Sequence, residues 1–105
     1  MAWSLLGLAG ILEIAFAFFM KGSDGFTRWV PGLLAAAAGL SSVFLLSLSL
    51  RTLPVGTAYA VWTGIGAAGT AFLGMLLLGD AVTPLRLFCI AVILSGVIGL
   101  KLVSG

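Results

Sequence analysis

The chain has 105 residues, 62% of them hydrophobic and 8% charged, with a formal net charge of +2, a single cysteine and no histidine. Soluble domains are about 45–50% apolar and about 25% charged, so this composition excludes an ordinary soluble fold and describes an integral membrane protein. Cys89 alone excludes an intrachain disulfide or a cysteine metal cluster, the lack of histidine removes the commonest metal ligand and general base, and a net charge of +2 offers little to nucleic acid.

Four apolar runs, at 2–20, 30–50, 55–79 and 83–103, are predicted as transmembrane helices in a single all-α domain. Each is close to the roughly 20 residues that cross about 30 Å of hydrocarbon at 1.5 Å per residue. The first run does not read as a cleaved signal peptide, because it lacks a basic start, carries Glu13 in its apolar centre and is followed by three more spans. Glu13 is the only acidic residue within any of the four runs. A carboxylate at bilayer depth costs about 2.5–3.5 kcal/mol on insertion scales, so it marks a functional site by default. Gly10, Glu13 and Ala17 share one helical face with Phe16 beside them, and the two small residues are expected to leave free volume around the carboxylate for a bound cation. The alternative is that Glu13 only hydrogen-bonds a neighbouring helix, a task that Asn or Gln performs without an ionisation cost.

The first loop, residues 21–29, is rich in turn formers, and Pro31 lies near the start of the second span. Trp3 and Trp29 fall at membrane-interface depth. Ser41 and Ser42 are the mid-span hydroxyls of the second run, with a carbonyl one turn back as the ordinary partner for either. In the third run Tyr59 and Trp62 share a face. Their rings can flank a cation while the phenol and the indole N–H donate to a carboxylate. Gly64 and Gly66 weaken that helix by about 1 kcal/mol each relative to alanine, which suits a hinge or equally close packing. Thr83 and Pro84 read as the cap and first turn of the fourth helix. There Ala91, Ser95 and Gly99 recur every four residues, with Gly96 widening the ridge, which is expected to form a helix contact between two copies.

Lys21, Arg28 and Arg86 fall on one side of the membrane and Arg51 and Lys101 on the other. Three against two is hardly a bias under the positive-inside rule, leaving either a weakly preferred orientation or insertion both ways with antiparallel pairing. Desolvation disfavours the charged form of a carboxyl, so a proton and a cationic cargo compete for such a group. That competition suffices to couple a proton gradient to cation export. Two other classes remain open: a structural membrane subunit that pairs Glu13 with a partner's basic helix, and a passive channel. No activated nucleophile, metal site or phosphate loop supports an enzyme, and no cofactor is expected.

Glu13 followed by Met20-Lys-Gly-Ser-Asp-Gly-Phe-Thr-Arg28, the segment Leu53-Pro-Val-Gly-Thr-Ala-Tyr-Ala-Val-Trp-Thr-Gly-Ile-Gly66 and the ending Gly96-Val-Ile-Gly-Leu-Lys101 together resemble the small multidrug resistance transporters, end to end and without insertions. The resemblance implies an antiparallel, dual-topology homodimer in the bacterial inner membrane that exports small organic cations against protons. It also implies a shared site of Glu13, Ser42, Tyr59 and Trp62, a hinge at Gly64 and Gly66, and dimerisation through the fourth helix. Trp3, Ser42 and the Thr63-Gly-Ile-Gly66 run look closer to the guanidinium exporters. That branch usually carries tryptophan where this chain has Phe16, and a phenyl ring cannot donate the indole hydrogen bond. A greasier site with relaxed specificity is therefore expected, with Gly39 and Ala35–Ala38 easing access from the lipid side. A quaternary ammonium exporter and one half of a heterodimeric pair are the alternatives within the family.

Overall fold

The computed structural model describes residues 1–104. Four α-helices account for nearly all of them: α1 (Ala2–Gly22), α2 (Trp29–Ser49), α3 (Val55–Leu77) and α4 (Pro84–Ser104). All four are long and apolar enough to cross a membrane. An apolar solvent makes this the economical form for such segments, because a helix satisfies its backbone polar groups internally.

The helix ends follow local chemistry. α3 stops at Leu77, two residues short of the run's apparent end, where the amides of Leu78 and Asp80 both turn back to the Gly74 carbonyl and Gly79 takes a φ of +73°. At α4 the Thr83 hydroxyl accepts the amide of Arg86 at 3.1 Å, and Pro84, which has no N–H to satisfy, fills the first helical position. The first loop is built on buried Ser23, whose hydroxyl donates to the Met20 carbonyl at 2.7 Å and accepts the Phe26 amide at 2.9 Å. Asp24, Gly25 and Phe26 follow at φ of 51°, 73° and 65°. Asp tolerates the left-handed region but a bulky Phe does not, so the bond to Ser23 offsets a real backbone cost.

α1 packs against both α2 and α3, and α4 packs chiefly against α3. Leu6, Ala9, Leu46, Ala58 and Val61 form the buried core of the first three helices. Small residues set the spacing: Gly69 of α3 receives the Ile14 side chain of α1, and Gly64 of α3 receives Val97 of α4, whose Cγ2 lies 2.5 Å from where a Cβ would stand. In lipid, where apolar surface alone does not draw helices together, such close approach is the main source of packing energy. α3 runs unbroken through Gly64-Ile65-Gly66. Both glycines are buried contact points. Lys101 Nζ near the end of α4 sits 5.1 Å from the Trp3 ring at the start of α1.

Candidate functional site

Glu13 lies near the middle of α1, and its stem is directed onto α3. A Cβ added at Gly66 would stand 2.8 Å from Glu13 Cγ and 3.3 Å from its Cβ, so the absence of a side chain at Gly66 is what allows the acid to lie there. Phe16, three residues on, goes the other way and rests on α2. A Cβ at Gly39 would stand 2.9 and 3.1 Å from two of its ring carbons. The two side chains thus leave one face of α1 toward different neighbours.

Gly10 departs from its sequence-based role. The space it leaves is not free for a cation, because Ile65 of α3 fills it, with Cγ2 and Cβ 2.6 and 2.8 Å from the position a Cβ would take. Gly10 is a helix contact. Gly39 likewise is a seat for Phe16 and not an open path from lipid.

Three helices are joined by a short polar relay. The Trp62 indole N–H of α3 donates to Ser42 Oγ of α2 at 2.8 Å, and the Ser42 hydroxyl donates to the Ala9 carbonyl of α1 at 2.7 Å. This corrects two expectations. The hydroxyl of Ser42 reaches across to another helix instead of bonding one turn back, and the indole of Trp62 is committed to Ser42, not to the carboxylate. The Ala9 carbonyl is also the one that the helical ladder gives to the amide of Glu13, four residues on. The relay therefore bears on the backbone that carries the acid while bypassing the acid itself. Tyr59 packs edge-on against Trp62, with ring centroids 5.4 Å apart, and is itself more than half exposed.

On α4 the Ser95 hydroxyl is returned to its own helix, donating to the Ala91 carbonyl at 2.7 Å. Nothing lies within 4 Å of where a Cβ would stand at Gly96 or Gly99. α3 and α4 enclose a groove of about 540 Å³ whose lining includes Ala60, Gly64, Gly96 and Gly99. Among the described residues no group of three potential ligands could hold a metal ion.

The sequence profile of the Small Multidrug Resistance protein family matches residues 1–93. The chain belongs to that family. Close relatives include a protein named guanidinium exporter from Citrobacter freundii, 52% identical over 102 residues that cover 97% of each chain, and one of the same name from Salmonella typhimurium with the same identity and coverage. A third, also named guanidinium exporter, is from Yersinia pseudotuberculosis and is 51% identical over 104 residues, 99% of this chain and 100% of its own. Membership and the four span-length helices make this a multi-pass inner-membrane protein.

Proposed function

We propose that this chain exports small organic cations, guanidinium and substituted guanidinium above all, in exchange for protons, with Glu13 the group for which both compete. The observation that carries the reading is near-complete coverage at 51–52% identity with relatives named guanidinium exporters. A lone acid within a membrane-span helix, its stem lying on α3 at Gly66, supports it chemically. The cation replaces the proton on Glu13, Trp62 and Tyr59 supply ring faces and edges around it, and release to the other side returns the carboxyl to its protonated form.

A homodimer of antiparallel copies, each contributing a Glu13, is part of the same proposal. Three features support it: a lysine and arginine count of three against two across the membrane, the exposure of Ala91, Ser95 and Gly96 along α4 with open space above Gly96 and Gly99, and the exposure of Tyr59. Gly64 and Gly66, packed against Val97 and Glu13, are the points on α3 where a change of conformation would be felt by both α4 and the acid. A second reading, a quaternary ammonium exporter, is favoured by one observation. A phenyl ring stands at position 16 and is held on α2, which leaves an apolar site able to accept bulkier cations.

The test is transport by the purified chain alone in proteoliposomes containing a pH dye. Guanidinium, a singly alkylated guanidinium and a tetra-alkyl ammonium are added in turn. Guanidinium should drive the fastest proton movement, and Glu13→Gln should insert normally yet drive none. Exchange undiminished in the Gln variant refutes the mechanism, tetra-alkyl ammonium alone driving protons favours the second reading, and cation flux without proton movement describes a channel. A chain active only when a second family member is co-reconstituted would be half of a heterodimer.

A further inference from the structure

Phe16 lies three residues beyond Glu13 on α1, yet its ring rests on α2 against Gly39. What holds it there is a missing side chain. The Phe16 ring occupies the space above Gly39 so closely that even a methyl group at that position would stand 2.9 Å from Cδ1, 3.1 Å from Cε1 and 3.5 Å from Cγ. Carbon atoms settle at about 3.5–4.0 Å, so any residue but glycine would force the ring to move by most of an ångström. The ring is a flexible side chain while the Gly39 backbone is part of a helix packed against α1, so the ring is what gives.

The geometry points to Gly39 as a specificity-determining residue: by seating the Phe16 ring on α2 it keeps that ring off the Glu13 face and leaves room there for cations larger than guanidinium. This rests on the exporter reading above. Phe16 and Glu13 are three residues apart on α1, and Glu13 takes the α3 side through Gly66. A ring lifted from α2 has two ways to go, outward into lipid or across α1 toward the acid. Movement toward the acid narrows the site and penalises bulk, while a small planar cation still passes.

Gly39→Ala tests this, read as the ratio of tetra-alkyl ammonium flux to guanidinium flux in proteoliposomes. One misplaced methyl-sized volume in an apolar pocket discriminates by about tenfold or more, so the ratio is expected to fall about tenfold. Adding Phe16→Leu to the alanine variant removes the displaced ring and should return the ratio to within about twofold of the parent. An unchanged ratio in Gly39→Ala means that the ring swings outward, and it overturns the inference. If Gly39→Ala alone fails to insert, the double variant must recover both insertion and the parental ratio, and failure of either overturns the inference as well. A parent chain that moves neither cation would instead bring down the exporter reading on which the inference stands, so the two failures are distinct.

Discussion

Replacing Gly66 by alanine places a methyl group 2.8 Å from Glu13 Cγ and 3.3 Å from its Cβ. Carbon–carbon contacts settle near about 3.5 Å or beyond, so the acid must retreat by about 0.7 Å or α1 and α3 must part. Overpacking of this kind costs about 1–3 kcal/mol, and the gain in helix propensity on removing a glycine offsets about 1 kcal/mol of it. The net loss of stability is therefore small, about 0–2 kcal/mol. The effect on function is expected to be larger. A charge-assisted contact is worth about 1.5–3 kcal/mol, and displacing the carboxylate by most of an ångström should lose much of one such contact, lowering apparent cation affinity by about 10–100-fold.

The assay is equilibrium binding of guanidinium to detergent-solubilised protein, followed through tryptophan emission, with thermal unfolding in the same detergent as the control. A hinge at Gly66 makes a different forecast: a slowed exchange between conformations, with transport falling while binding stays at the parental value. Gly64→Ala serves as the comparison, since its methyl group would meet Val97 of α4 and not the acid. Parental binding in Gly66→Ala, or equal losses of binding in the two variants, would refute the argument that Gly66 exists to seat Glu13.

Further outcomes can be set beside this one. Ser42→Ala removes the acceptor of the Trp62 indole and the donor to Ala9; a polar group left unpaired costs about 1–3 kcal/mol, so the thermal midpoint should drop while Ser42→Thr, which keeps the hydroxyl, retains most of it. The proposed competition of protons and cation for Glu13 requires apparent guanidinium affinity to weaken as pH falls, by at most about tenfold per pH unit for each proton displaced, and a titration of binding at several pH values that stays flat would contradict it. Thr83→Ala deletes the α4 cap and should cost about 1 kcal/mol of stability with binding unaffected, as thermal unfolding and the binding assay together would report. Gly99→Leu fills an open stretch of the α4 ridge and should shift cross-linked protein from dimer to monomer.

What the sequence made legible is what depends on one helix at a time. Hydropathy locates the spans, since about 20 apolar residues have few other uses. The solitary charge marks Glu13, and the Thr83-Pro84 pair states its own cap because every group involved lies within one turn. The partners of the glycines were not legible. Gly10 and Gly39 read as open space and Gly66 as a hinge or a packing point, yet Ile65, Phe16 and Glu13 are the side chains that lie against them, and which side chain does so depends on how the helices cross. Ser42 shows the same limit. A serine in a helix ordinarily bonds back within it, as Ser95 and Ser49 do, and only the close approach of α1 diverts Ser42 to Ala9.

The relay and the acid together describe a consistent division of labour. Inside a membrane each unpaired polar group costs several kcal/mol, so a bundle built only for stability would turn its strongest donors toward its one carboxylate. Here the Trp62 indole and the Ser42 hydroxyl, the donors that could serve Glu13, are instead joined to each other and to a backbone carbonyl. The stem of the acid meanwhile lies against a glycine that offers no polar group at all. A carboxyl treated this way keeps its capacity for an outside partner, which the proposed exchange fills with a proton at one moment and a cation at another. Had the indole been spent on the carboxylate, the cation would have to break that bond before binding, and the energy needed would come out of its own affinity. In the proposed exchange, withholding internal donors is what would let one acid serve two ligands in turn, and restoring a donor there, for example with Gly66→Ser, should weaken cation binding beyond the loss seen with Gly66→Ala.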